Sequence, residues 1–480
     1  MVFLLFNPPA TGDERVTFPA TQAAFSVTNL NNITISHITH ATGEKPQSKV
    51  WFHDQKWWAV LPDSAGTHIW RLDGVSWSSI LQISPDPDTR ADCKADGDVV
   101  HILLVRDGIS TLQLVSVEYL PASRSYRPWS ERPAGAVNIH LEQAVGTATI
   151  DIDSRGKMWL AYDASTTINV RYSPSPYSDW SNLPVILDAG VRARDICVVT
   201  AFANKIGVLW SDQITRQFGF RYHEDGANPD SWSDEENPPN PFGDAGGGFA
   251  DDHLNLATAS DGSIYAAVKT GFNTPGFPVI VLLVRRPSGE WSSYRVDDDG
   301  TRPIVLLDEA EEALSVVYTR KDRLNPIVYK QSPAYGIAFG SQMALFSDFY
   351  NNVTSTKQNY IGEVVFFACD ENSTAASVIA TAPPLPSFAN DGSGRALEFD
   401  GSDDHLSGNN LALNITGQIT LEAWISPASA SNRYILRKGR PGATSGYEIG
   451  LNSSSKVYAR LYQAGSGTAY TVTSVTNYPT

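Results

Sequence analysis

The stretch Asp73-Gly74-Val75-Ser76-Trp77-Ser78-Ser79 (DGVSWSS) reads as a turn running into a strand, and close copies of it return four times. Trp129 stands in YRPWSE, Trp180 in YSDWSN, Trp232 in PDSWSD and Trp291 in SGEWSS, each followed at once by serine. Successive tryptophans lie 52, 51, 52 and 59 residues apart. A near-constant interval of this size marks a repeated structural unit.

A second marker recurs upstream of each tryptophan: a tight polar turn followed by a strongly apolar run. The instances are HDQKWWAVL, ADGDVVHILL, DSRGKMWLAY, FANKIGVLW, SDGSIYAAV, EAEEALSVVY and YIGEVVFFA. Gly97, Gly156, Gly262 and Gly362 supply the positive φ that hairpin turns need. The apolar runs begin near Trp57, Val99, Met158, Ile206, Ile264, Ala313 and Val364. Each unit parses into an inner strand, the turn, the apolar strand, a third strand and an outermost strand begun by the tryptophan. Four antiparallel strands at this period describe a β-propeller blade, and the indole would cap the apolar space between blades. The spacing fits seven blades, with six or eight also allowed.

The seventh unit breaks at Pro383-Pro384 without a fourth strand, whereas the N-terminus offers an orphan strand, NNITISHITH (31–40). Lending that strand to the last blade would remove an open edge. The predicted class is therefore all-β: a seven-bladed β-propeller closed by an N-terminal strand, plus an incomplete β-sandwich. The expected divisions are an arm at 1–25, the propeller at 26–383, a proline-rich linker at 384–393 and a second domain at 394–480.

Composition agrees with short strands and many turns: 18% charged residues, 36 Gly and 29 Pro in 480 residues. A net charge of −16 disfavours nucleic acid or an anionic membrane as partner. Cys93, Cys197 and Cys369 lie far apart in apolar runs and read as buried free thiols. The opening MVFLLFNPPATGDER matches neither a secretory leader nor a membrane-spanning helix, so no membrane insertion is expected.

Turns such as DSRGKMWLAYD resemble those of bacterial sialidase-like propellers. The Asp-box pattern of sialidases, the WD dipeptide and the kelch double glycine are absent, so no family's catalytic residues carry over. After the linker, Ala396-Leu397-Glu398-Phe399-Asp400-Gly401, His405-Leu406 and Ile419-Thr420-Leu421-Glu422-Ala423-Trp424-Ile425 resemble the opening of laminin-G-like, concanavalin-like jelly rolls of the pentraxin type. YILRKG and YEIGLNSSSKVYARLY continue as strands. The resemblance implies a glycan- or protein-binding module, in some relatives calcium-dependent. It covers about the last ninety residues, short of a whole sandwich, so truncation or a completing partner is expected.

Propeller ligands usually bind where the outer strand of one blade passes to the inner strand of the next. Those junctions contribute Arg90, Asp92, His140, Arg192, Arg194, Asp251, Asp252, His253, Arg302 and Lys357. Of these, Arg90, His140, Arg194, Asp252, His253, Arg302 and Lys357 are the candidate ligand-binding residues. Arginine forks suit carboxylates and sulfates. Blade-to-blade stitching is the competing structural role. No catalytic residue, metal ligand or cofactor is assigned; DDDG (297–300) and ADD (250–252) leave calcium open. The functional expectation is a non-catalytic recognition or adhesion protein, extracellular or surface-exposed without a recognisable signal peptide. It would bind a glycan or cell-surface protein, as an oligomer or within a phage-tail-like or larger assembly. The alternatives are a polysaccharide lyase or glycosidase, with His140 or His253 as base beside an arginine that neutralises a uronate, and a pure scaffold.

Overall fold

The computed structural model describes residues 24–35, 41–43, 46–132, 134–321, 327–334, 336–370, 374–382, 433–438, 446–462 and 468–478. Among them every regular element is a strand, and no helix is long and apolar enough to cross a membrane. The chain divides into two compact units, residues 19–395 and a second that contains 396–480.

The larger unit is a β-propeller of seven antiparallel sheets. Blade 1 sets the pattern: inner strand Val50–His53, then Lys56–Asp63, Gly66–Asp73 and the outer strand Ser76–Ser84, each paired with the next. The second strands of the blades start at Lys56, Val99, Lys157, Lys205, Ile264, Ala313 and Glu363, within one residue of the starts read from the apolar runs. Their side chains alternate between two cores. Trp57, Ala59 and Leu61 share a core with blade 7, whereas Trp58 and Val60 share one with blade 2. Each second strand is thereby buried on both faces.

The turns behave as their residues dictate. Gly97, Gly156, Gly262 and Gly362 all have positive φ. In the DSRGKMW turn, Asp153 Oδ1 accepts from the Arg155 and Lys157 amides, both at 2.9 Å. Its Oδ2 accepts from Trp159 Nε1 at 3.0 Å. One carboxylate fixes both the turn and the first ring of the apolar strand.

The Trp-Ser sites all lie between blades, with refinements. Only Trp77 and Trp291 stand on an outer strand near its start; Trp129, Trp180 and Trp232 lie in connecting residues. Trp77, Trp180, Trp232 and Trp291 pack toward the preceding blade. Trp129 turns instead toward blade 3 and lies 6.0 Å from Tyr177. The cause is a split outer edge in blade 2, where Ser125–Pro128 and Ala136–Val145 both pair with Ile109–Leu120. Tyr126 fills the gap toward blade 1 and accepts from Trp51 Nε1 at 2.9 Å. Blade 4 has three strands; its fourth shrinks to a bridge between Phe220 and Glu236. Pro238, Pro239 and Pro241, which lack the N–H a ladder needs, follow directly.

The N-terminal strand completes blade 7, shifted from the expected 31–40. Ser26–Asn29 pairs with Thr381 through Val378, and Ile33–Thr34 pairs with Ala375 and Thr374. Between them the chain steps out: Leu30 N donates to Ser377 O (3.0 Å) and Asn31 N to Val75 O (2.8 Å) on blade 1. Residues 36–40 of the expected strand lie outside the described residues.

In the second unit, Arg433–Lys438, Gly446–Leu451, Val457–Tyr462 and Ala469–Thr473 form one antiparallel sheet in chain order, as the YILRKG and YEIGL…VYARLY segments suggested. Glu448 is buried there between Arg437 (3.5 Å) and Arg460 (2.8 Å). The motif residues 396–425 lie outside the described residues.

The three cysteines are buried free thiols. His101 is also buried, with Nδ1 2.7 Å from Ser116 Oγ and the rings of Trp129 and Tyr177 nearly perpendicular to it at 5.4 and 4.9 Å. Burial, reinforced by Arg132 and Lys94, lowers its pKa from 6.5 to about 3. The folded protein therefore keeps His101 neutral while the unfolded chain takes up a proton, so this residue's contribution to stability falls as pH drops from 6.5 toward 3. Melting temperature measured across that window should fall less steeply for His101→Gln than for the wild type.

Candidate functional site

Among the described residues, neighbouring inner strands share no ladder beyond the single parallel bridge between Val50 and Thr356, so their other amides need acceptors elsewhere. Polar side chains provide them at one-blade intervals. Ile150 N donates to Asp92 Oδ2 (2.8 Å), Val199 N to Thr149 Oγ1 (3.0 Å), Ala201 N to Asp151 Oδ2 (2.9 Å) and Val305 N to Asn255 Oδ1 (3.1 Å). Ser48 N donates to the other oxygen of Asp92 at 2.9 Å.

Lys357 joins this network. From blade 7 its Nζ reaches Asp92 Oδ2 at 2.6 Å and the Ile150 carbonyl at 3.0 Å, linking it to blades 2 and 3. Lys94 pairs with Asp151 at 2.5 Å. Burial alone would raise the Asp151 pKa, but Lys94 and Lys357 hold it below the usual carboxylate range. The axis is thus a set of engaged charges.

The remaining expected site residues separate by what they touch. Arg90 is buried and donates to the Gly146 carbonyl at 3.3 Å, with Asp107 3.9 Å away, so it stitches blade 2 to the next junction. His140 is not in a junction loop. It sits exposed on the outer strand Ala136–Val145, opposite Thr111, with Nδ1 3.0 Å from Thr111 Oγ1. The segment read as a junction continues the blade 2 edge, because Val137, Ile139 and Leu141 alternate with polar neighbours as a half-buried strand does.

Arg194 lies in a junction loop shaped by Asp195, whose carboxylate accepts from Arg192 N (2.8 Å) and Gln213 Nε2 (2.7 Å). Burial raises the Asp195 pKa. Arg194 itself is exposed, has φ of 77° and makes no ion pair among the described residues. Arg302, at φ 54°, likewise makes none, and its Nε is buried without a hydrogen-bond partner. Non-glycine residues in the left-handed region are strained, and such strain gathers where a side chain must be aimed.

Between these arginines in the chain lies Ala250-Asp251-Asp252-His253. The loop before it is fixed by a close backbone approach, where a Cβ on Gly247 would come within 2.0 Å of the Gly271 carbonyl oxygen. Asp252 contacts His253 Nδ1, and His253 Nε2 is 3.4 Å from Thr301 Oγ1, one residue before Arg302. Burial, with a hydrogen bond from Asp252, raises the Asp251 pKa against the pull of Lys269, which sits 2.5 Å away. One ligand atom each from Asp251, Asp252 and His253 lie within 4.8 Å of one another, but the Lys269 ammonium already neutralises the first. In DDDG, Asp297, Asp298 and Asp299 face Lys330, Arg295 and Arg320 respectively. Protein cations therefore hold the carboxylates considered for calcium at 297–299.

No family model matches the chain, and no curated protein does. Among solved structures it is similar to the polysaccharide lyase Uly1 (9% identity, TM-score 0.43), over 76% of this chain and 98% of that one. It is also similar to a chain of the mitotic checkpoint complex (10%, 0.46, over 79% and 99%). A third is the Penicillium chrysogenum alpha-L-arabinanase complexed with arabinobiose (11%, 0.40, over 65% and 100%). Such low identities carry no residue-level correspondence.

The axial network yields a stability test. Asp92→Ala should destabilise by about 3–5 kcal/mol in urea unfolding, because it strands the Lys357 ammonium and two amides. The Asp92→Leu, Lys357→Met double variant should lose considerably less than the two single losses added together.

Proposed function

We propose that the protein is a non-catalytic recognition protein that binds an acidic glycan or an acidic cell-surface ligand through the blade junctions. The observation that carries this reading is the division among junction cations. Arg90 and Lys357 are engaged within the fold, whereas Arg194 and Arg302 have no carboxylate partner among the described residues. In a chain of net charge −16, an arginine left unpaired invites an external carboxylate or sulfate, which the guanidinium fork grips with two hydrogen bonds. The second unit would act as a lectin-like module that adds avidity on a repetitive surface, in keeping with its laminin-G-like motifs. Display outside the cell, alone or within a larger particle, is part of the same proposal.

A lyase or glycosidase is the second reading, favoured by one arrangement: His253 has Asp252 beside its Nδ1 and its Nε2 3.4 Å from the Thr301 hydroxyl, the neighbours a general base would need.

Binding to uronate-bearing and sulfated polysaccharides separates these readings. Arg194→Ala and Arg302→Ala should each weaken binding about tenfold, the scale of one lost charge-assisted hydrogen bond. Affinity should also fall as salt rises. Unsaturated or reducing-end products that vanish in His253→Asn would establish the enzyme instead.

A further inference from the structure

Blade 1 carries a second candidate site that shares no residue with the junction arginines. Trp70 lies on the strand Gly66–Asp73 and Trp77 on Ser76–Ser84, where Leu72 is the partner of Trp77. This register puts Trp70 and Trp77 on one face, the face turned to blade 7. Both indoles are fixed by their own N–H groups: Trp70 Nε1 donates to Leu61 O at 3.0 Å and Trp77 Nε1 to Ser377 Oγ at 2.9 Å. The Trp77 ring also rests 4.8 Å from Phe367. Yet neither ring is buried. Together they line an open cleft of about 420 Å³, bordered by Asn32 and Thr34 of the N-terminal strand and by Asp63 and Ser64 of the blade 1 turn.

The cleft opens here because the outer strand of blade 7 is interrupted between Asn29 and Ile33. Each indole is partly buried against the core, and the strip that stays exposed would lose its water only against an added group; the satisfied indole N–H groups leave that strip apolar. The rim is the opposite, with an amide, two hydroxyls and a carboxylate from two separate segments. A narrow apolar floor beside a few polar groups, in an open cleft, suits one face of a small ligand and leaves its other face in water.

We propose that this cleft binds a neutral sugar ring, whose C–H face lies on the indoles while its hydroxyls meet Asn32, Thr34, Asp63 and Ser64. A pyranose presents both surfaces at once. A quaternary ammonium would also suit tryptophan beside a carboxylate. Asp63 Oδ1, however, already accepts from Ala65 N at 2.7 Å and lies 3.4 Å from His68 Nδ1, which makes it a poorer free counter-charge.

The test titrates the full chain with methyl glycosides of galactose, glucose, mannose, fucose and N-acetylgalactosamine, and with choline, followed by tryptophan fluorescence and calorimetry. At least one glycoside should bind and perturb the emission. Trp70→Ala should weaken it tenfold or more. Asn32→Ala and Asp63→Asn, at the rim and outside the core, should each weaken it several-fold while the far-UV circular dichroism and cooperative melting of the folded protein are retained. Arg194→Ala should leave it unaltered, so a failure here is distinct from a failure at the junctions. No binding by any glycoside, binding that survives the rim variants, or a response to choline alone would each overturn the proposal.

Discussion

Every sheet of the propeller is apolar on both faces, and one four-stranded sheet cannot cover two faces by itself. The second strand of each blade makes the constraint plain: Met158, Leu160 and Tyr162 feed the core shared with blade 2, while Trp159 and Ala161 feed the one shared with blade 4. Burying both sides requires a neighbour on each side. The same demand joins the ends of the series, since Val364 through Phe367 lie in one core with Trp57, Ala59 and Leu61. It also explains why the N-terminal strand is drawn across the chain to the last blade, where Leu30 and Ile33 enter that core.

Stacking sheets around an axis has a cost at the inner strands, whose amides face neighbours too divergent to ladder with. Aspartate, threonine and asparagine side chains answer those amides one blade apart, and lysines neutralise the carboxylates this brings inside. The charges nearest the axis are therefore structural. Groups without such partners among the described residues lie at the rims: arginines at positive φ in junction loops, and a cleft where one edge strand is broken. Both places are ones where the repeat is imperfect, which is where a regular fold can carry an individual function.

Much of the architecture was legible because a blade has to be built locally. A tight turn, an alternating apolar run and a capping tryptophan lie within about fifty residues, so Gly97, Gly156 and the second-strand starts could be read directly. Turns that reach positive φ without glycine, at Asp54-Gln55 and Ala203-Asn204, were legible only through the polar turn and apolar run around them. The outer edges were harder, because an edge strand is weakly specified by its own residues. His140 consequently read as a junction residue but stands on the split edge of blade 2, and the last strand was displaced toward Ser26.

By itself the sequence determined the class of fold, the period and phase of its units, and the residue types gathered at their junctions, because these follow from local periodicity. Only the tertiary structure decided which of those residues are occupied. Lys357 meets Asp92 across 265 positions of chain, Arg90 meets a carbonyl in the next junction, and Trp70 and Trp77 stay only partly covered beside Asn32. Whether a charge or a ring has a partner depends on groups far away in the chain, and no local pattern encodes that distance.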